Sequence, residues 1–325
     1  MRLRYSHAAL IPDPKSHLAL SLARGFISWL ATQRAFTRAV GGTGMRLGFA
    51  RRFIAGETLE DALRTAETLN RSGMSVILNS LGEHVRNAEE ARASYRSYHE
   101  MLQELSRRKI DGIITVKPTQ LALELDYGLC RELTLALAKD AAAIGNFVEI
   151  DMEHSGAAEA TVSLFEAVRR EHQNVGLALQ AYLRRTRSDL ERLRPLRPKI
   201  RLVKGAYQEP PEVAFPSKRE VDESYRELMG VLFAGGFTPA IATHDEAMLA
   251  EAKALALKHG RAVGEWEVQM LLGIRRDLQE SLVREGYRMR VYVTYGTEWV
   301  PYFMRRLAER PANVGFVLRS LMKGG

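Results

Sequence analysis

Two neighbouring arginines with a glutamate one turn on, Arg305-Arg306-x-x-Glu309, form the sharpest anion-binding pattern in this chain. Adjacent helical residues diverge by about 100°, so both guanidiniums reach one anion only if it lies over the helix and both side chains curl toward it. Glu309 stands i+4 from Arg305 and i+3 from Arg306, where its carboxylate can orient either group. A second set of candidates ends one apolar run after another: Asn79, Lys117, Asp151 with Glu153 and His154, Gln180 with Tyr182, Lys204 with Tyr207, Thr243 with His244 and Asp245, Gln269, and Tyr292 with Tyr295. Polar groups late in apolar strands are costly to bury without partners, so their recurrence in strand after strand marks a lined site. Four chemistries fit these residue types. Lys117 or Lys204 could form a Schiff base if desolvated. Asp151, Glu153, His154 and His244 could bind a divalent metal, although a hydrolytic site usually offers more histidines. A phosphate barrel calls for a glycine-rich loop near the last strands, where only Gly273 stands. A flavin could be held by Arg, Lys, Gln, Thr and His spread over several strand ends.

The elements that must position these groups are short strands alternating with amphipathic helices. The strand-like runs are 75–80, 112–118, 146–152, 175–182, 199–205, 238–244, 266–272 and 290–296. Helical patterns fill 85–108, 120–143, 156–172, 220–235, 245–259 and 274–286, with an abbreviated, proline-limited helix within 187–198. Eight strands at intervals of roughly 25 to 40 residues match a parallel (β/α)8 barrel, a TIM-like α/β fold. The rival is a doubly wound open sheet. The expected organisation is a helical extension over residues 1–72 and a barrel over 73–325. The last strand stops at Gly296, and a helix carrying the arginine pair follows from about Glu298. The glycines of Gly41–Gly48 superficially suggest a dinucleotide loop, but no strand precedes them, and they read as a helix break.

Composition narrows the function classes. The 325 residues, 46% of them hydrophobic, can bury one large core. A net charge of +8 and a pI near 9.6 favour anionic partners. The basic residues are dispersed, with no aromatic-interleaved module, so no nucleic-acid partner is expected. The single cysteine, Cys130, excludes an internal disulfide and a thiolate zinc cage, and a reducing, cytoplasmic setting fits best. The N-terminal apolar run is interrupted by Arg24 and shows no cleavage site, so secretion is not expected; nothing approaches the roughly 18 apolar residues of a membrane span. Leu18, Leu20, Leu22, Phe26, Trp29 and Leu30 give an apolar surface that suits packing better than lipid.

Five motifs, QAYLRR (Gln180–Arg185), RLVKGAY (Arg201–Tyr207), ATHD (Ala242–Asp245), EVQMLLG (Glu267–Gly273) and YFMRRLAE (Tyr302–Glu309), occur in the order found in the proline dehydrogenase family. The resemblance covers roughly Gly73 to Leu321 and is similar to the monofunctional bacterial type. It implies a (β/α)8 barrel with non-covalent FAD and a final helix placed over the barrel mouth. It implies that Arg305, Arg306 and Lys117 grip the carboxylate of L-proline, that Asp151 holds this cationic cluster, and that Glu309 orients its arginine. Tyr292 and Leu271 would wall the pyrrolidine ring, with no hydrogen bond required of them. FAD would be held by Gln180, Arg201, Lys204, Thr243, His244 and Gln269, with Val203, Gly205 and Ala206 of the same motif. Arg201 would lie near the flavin N5, Tyr207 beside the isoalloxazine and Lys218 by the phosphates; no metal is implied. The implied reaction is hydride transfer from proline to FAD, giving Δ1-pyrroline-5-carboxylate in the first step of proline catabolism to glutamate. Reoxidation would use membrane quinone, with the protein cytoplasmic and peripherally bound to the inner face of the cell membrane. Two features depart from the pattern: Gln208 stands where Trp commonly follows RLVKGAY, and the loop from Tyr292 to Arg305 is shorter than in bifunctional relatives.

Overall fold

The computed structural model describes residues 50–82, 85–300 and 302–303. They belong to two compact units. One runs from Phe53 to Thr297; the other includes the 3-10 turn Ala50–Arg52 and the segment from Glu298, helical at Trp299, where the Trp299 and Phe303 rings meet edge to face at 5.8 Å. The sequence expectations for residues 1–49, for the break at Gly41–Gly48 and for Arg305, Arg306 and Glu309 lie outside the described residues.

The larger unit is a closed barrel of eight parallel strands: β1 (Ser75–Ser80), β2 (Gly112–Val116), β3 (Val148–Ile150), β4 (Val175–Gln180), β5 (Lys199–Val203), β6 (Thr238–Ala242), β7 (Glu267–Leu271) and β8 (Met289–Tyr295). Each pairs with the next, and β1 closes on β8 from Ser75 opposite Arg290 to Ser80 opposite Tyr295. This is the barrel read from the periodicity; the open sheet is excluded by the closure. Helix α1 (Leu59–Arg71) precedes β1, and α2 (Ala88–Arg107), α3 (Tyr127–Ala143), α4 (Ser155–Glu171), α5 (Thr186–Leu193), α6 (Lys218–Ala234), α7 (Glu246–Lys258) and α8 (Arg276–Arg284) follow successive strands. A parallel sheet needs such crossovers, and they bury its outer face.

Local chemistry sets where the helices begin. Thr58 and Asp61 form a capping box on α1, as Ser217 and Glu220 do on α6, while Asn87, Asp126 and Asp245 cap α2, α3 and α7. Each such cap satisfies amide groups that have no partner within the helix and contributes about 1 kcal/mol. The cap at Asp126 also corrects one boundary. The helix expected from residue 120 starts at Tyr127, because Pro118 opens a 3-10 turn and Ala122 takes φ 75°, so the chain cannot enter an α-helix until a new cap is available. Helix α5 is short, as its prolines predict: Pro195 falls in the 3-10 turn Arg194–Leu196 directly after it.

Candidate active site

Residues two apart on a strand share a face. Lys199 and Arg201, Glu149 and Asp151, Thr115 and Lys117, Glu267, Gln269 and Leu271, and Arg290 and Tyr292 therefore climb their strands in step. Bonds among them join strands that are not neighbours. Arg201 on β5 reaches Thr115 of β2 at 3.4 Å, Gln269 on β7 reaches Glu149 of β3 at 3.5 Å, and Tyr292 on β8 donates to Asp151 after β3 at 2.9 Å. Only the barrel interior lies between such strands, so this interior is ionic where most barrels of this kind carry Val, Ile and Leu.

At the floor, Glu267 accepts both 3.1 Å bonds of Arg290 and lies 2.6 Å from the Lys199 ammonium. Burial by itself would push its carboxyl up, but the Arg290 and Lys199 charges hold it down at about 2. The Lys199 ammonium also sits 5.2 Å from the Phe147 ring centre. One step higher, Arg201 is only 3% exposed. Its Nη2 donates to Asp151, its Nε stands 3.8 Å from fully buried Glu149, and its guanidinium lies 5.1 Å from the Tyr292 ring centre. A buried guanidinium flanked by two carboxylates and a ring face has little rotational freedom.

The mouth gathers the remaining sequence candidates at the carboxyl ends of the strands. Lys117 Nζ donates to the Gly82 carbonyl at 3.3 Å, and that oxygen also accepts from Gln120 at 2.6 Å. Tyr98, buried on α2, donates to Gln120 and accepts the Lys117 amide N–H at 3.2 Å; burial raises its phenol well above the usual range. His244 Nε2 accepts the Leu271 amide N–H at 2.9 Å, which places the proton of a neutral imidazole on Nδ1 and ties the end of β6 to β7. Thr243 Oγ1 accepts from the Asp245 amide at 3.2 Å. Gln180 donates to the Met152 carbonyl at 3.2 Å, which leaves its buried Oε1 with no hydrogen-bond partner; Oε1 of Gln269 and Oδ1 of Asn79 are in the same position.

The β5 motif continues the wall upward. Gly205 has φ 113°, and a Cβ there would meet the Tyr182 ring at 2.3 Å, so the ring rests directly on the glycine backbone. Val203 and Lys204 carbonyls accept from the Ala181 and Tyr182 amides at 2.8 and 2.9 Å, extending the β4–β5 pairing beyond the strands. Ala206 and Tyr207 are exposed, with Tyr207 at 36%. Lys204 and Lys218 share one carboxylate on α6, Asp222: Lys204 is 2.5 Å from Oδ1, and Lys218 pairs with Oδ2. Burial would raise the Asp222 carboxyl, and the two ammoniums outweigh it and lower it.

Three sequence readings change on this geometry. Tyr292 does make a hydrogen bond, to Asp151, which also accepts from Arg201. The metal alternative loses its ligands: Glu153 is bound to Thr119 N and Oγ1 at 2.9 and 2.7 Å, and His154 pairs with Glu124 at 2.7 Å. Among the described residues, no three His, Cys, Asp or Glu side chains group as a metal site. For the Schiff-base alternative, Lys204 is committed to Asp222. Sequence reasoning missed Thr115, Glu149, Lys199, Glu267 and Arg290. A signal was present: in a parallel sheet covered on both faces, any charged residue inside a strand must point into the barrel or be paired.

The family model described as proline dehydrogenase matches residues 62–319. The chain belongs to the proline dehydrogenase family. Proline dehydrogenase 1 of Bacillus subtilis strain 168 is 39% identical over 302 residues, which is 93% of this chain and 100% of that protein. The proline dehydrogenase of Deinococcus radiodurans is 37% identical over 283 residues, covering 85% of this chain and 90% of its own. The bifunctional protein PutA of Escherichia coli K12 is 30% identical but matched over only 24% of its length. Among solved structures, proline utilization A (PutA) from Bdellovibrio bacteriovorus inactivated by N-propargylglycine superposes with a TM-score of 0.76 at 24% identity, over 91% of this chain and 35% of that one. The chain thus spans about a third of that protein and shares its barrel fold. With proline dehydrogenases matched along their whole length as relatives, it is an oxidoreductase of proline catabolism.

Proposed function

We propose that this proline dehydrogenase oxidises L-proline to Δ1-pyrroline-5-carboxylate with non-covalently bound FAD and delivers the electrons to membrane quinone. The observation that carries the reading is the mouth itself: buried acceptors of Gln180 and Gln269 without hydrogen-bond partners, beside a guanidinium locked between two carboxylates. Buried polar atoms are ordinarily satisfied, so a site with several open acceptors fits a ligand that brings its own donors. A flavin meets that requirement, with ring N–H and ribityl hydroxyls for the acceptors and anionic phosphates for lysines.

Gln180, Arg201, Thr243, His244 and Gln269 would hold the ring and chain of FAD, with Val203, Gly205 and Ala206 supplying backbone and Tyr207 an aromatic wall. The Lys204–Asp222–Lys218 cluster, exposed on its Lys218 side, would serve the phosphates. Bound FAD supplies the hydride acceptor that lets the amine of proline become an imine. The chain's own residues do the positioning. Arg305, Arg306 and Lys117 bind the substrate carboxylate, Glu309 orients the arginines, and Tyr292 and Leu271 flank the ring and exclude water. Asp151 holds Tyr292 and Arg201 in one arrangement. Productive proline carries a neutral nitrogen, because departure of hydride from the adjacent carbon needs its lone pair.

Quinone as acceptor calls for contact with a bilayer. Among the described residues no helix is long and apolar enough to cross one. A net charge of +8 suits a reversible, peripheral attachment to an anionic inner leaflet. The deciding experiment is the visible spectrum of the purified protein with and without proline under anaerobic conditions. A yellow protein that bleaches with proline is the expected result; a colourless one that gains no activity with added FAD would overturn the proposal. Arg306→Met is expected to raise the KM for proline by the equivalent of about 2–5 kcal/mol, and an unchanged KM would remove the arginine pair from the substrate site.

A further inference from the structure

Glu149 is fully buried at the centre of β3, one step below Asp151 on the same strand face. Its two oxygens face two side chains on other strands that the proposed FAD site uses. Oε1 lies 3.8 Å from Arg201 Nε, and Oε2 lies 3.5 Å from Gln269 Nε2. The Gln269 amide nitrogen is also 2.7 Å from Glu267 Oε1. Its NH2 therefore sits between two carboxylates. Rotating the amide by half a turn would set its oxygen 2.7 Å from a carboxylate oxygen, so the orientation is fixed and Oε1 must be the group presented to any ligand. That Oε1 is buried and has no hydrogen-bond partner. Arg201 is set in the same way, with Asp151 on Nη2, Thr115 on the same nitrogen and Glu149 beside Nε.

We infer that Glu149 is a positioning residue of the oxidation. It assists Glu267 in holding the Gln269 amide so that Oε1 is presented, and from 3.8 Å beside Arg201 Nε its negative charge offsets the positive field that Arg201 exerts on the bound flavin. The inference rests on the FAD reading proposed above and extends it to a residue in none of the sequence motifs that suggested it. In a dry interior the charge of one carboxylate this close to Arg201 is weakly screened, so its removal changes the electrostatics of the site even where the shape is kept.

The test begins with the wild-type holoenzyme, whose yellow colour and bleaching by proline establish the parent reading separately. In Glu149→Gln, with the volume kept and the charge lost, the reduction potential of the bound flavin is expected to shift positive, because reduced flavin is the more anionic form. FAD is expected to bind a few-fold more weakly, because the Gln269 amide is then held by the Glu267 carboxylate alone. Glu149→Asp keeps the charge at shorter reach: the potential should stay at the wild-type value while FAD affinity falls several-fold. A packing role alone would not move the potential in an isosteric variant. A Glu149→Gln enzyme with wild-type potential and FAD affinity, or with a potential shifted negative, overturns the inference. Should Glu149→Gln not fold, Glu149→Asp decides, and wild-type FAD affinity there overturns it equally.

Discussion

The floor and the mouth of this barrel are built from the same residue types to opposite ends. At the floor, Glu267 is closed on itself by Arg290, Lys199 and Gln269, with both carboxylate oxygens engaged. At the mouth, Gln180, Gln269 and Asn79 each leave a buried oxygen without a hydrogen-bond partner, and the Lys117 ammonium is held by the Gly82 carbonyl at 3.3 Å. Charge at the floor is matched by charge within the protein; polarity at the mouth is left for a ligand. Buried pairs add little net stability over an apolar core, yet breaking one is costly, so the floor acts as a rigid base for the groups above it.

Arg201 couples the two regions and should show the largest effect. Arg201→Met removes the guanidinium that stands between Glu149 and Asp151; a loss of about 3–5 kcal/mol in stability is expected, with kcat/KM down by about 100-fold or more, read by melting and steady-state kinetics. Glu267→Gln separates floor from mouth. It should cost on the order of 3 kcal/mol in stability and, because Glu267 also holds the Gln269 amide, weaken FAD binding, while the KM for proline of the FAD-saturated enzyme stays within about twofold; a KM that rises with the instability would mean the two regions are one unit.

The same glutamate gives a pH dependence. Its folded carboxyl titrates at about 2, below its ordinary value of 4.5, so the stabilisation is complete above 4.5 and is lost as pH falls through that value toward 2. The difference corresponds to roughly 3 kcal/mol. Acid-unfolding curves should therefore be shallower in Glu267→Gln than in the wild type, and an unchanged acid limb would refute the pairing. Tyr292→Phe removes only the hydroxyl bonded to Asp151; a rise in the KM for proline equivalent to about 1 kcal/mol is expected, with little change in melting temperature. Lys218→Ala should be mildest, within about 0.5 kcal/mol in stability, because its side chain is 79% exposed although paired with Asp222; a few-fold loss of FAD affinity would place it at the phosphates.

Much of this was legible without coordinates. The strands begin within about two residues of where the apolar runs begin, because the face of each strand that the helices cover is apolar. Lys117, Asp151, Gln180 and His244 read as mouth residues from their place at strand ends and stand at or just past those ends, whereas Gln269 and Tyr292 lie in mid-strand. Less legible were the partners. Asp222 lies 18 residues beyond Lys204 on the next helix, and nothing in its local sequence distinguishes it from a solvated helix residue. The switch from the 3-10 turn at Pro118 to a helix at Tyr127 was likewise hidden behind a continuous helical pattern.

Sequence alone determined the alternation of strands and helices, the family and the strand-end positions of the candidate groups, since each depends on spacing along the chain. Only the closed barrel decided that Glu149 faces Arg201 and Gln269, that Tyr292 bonds Asp151, and that Glu267 gathers Lys199 and Arg290. Those pairs span up to 141 positions in the chain, and all but Glu267–Arg290 join strands that are not neighbours. Their geometry exists only once all eight strands have closed, so no local pattern can encode which charge meets which.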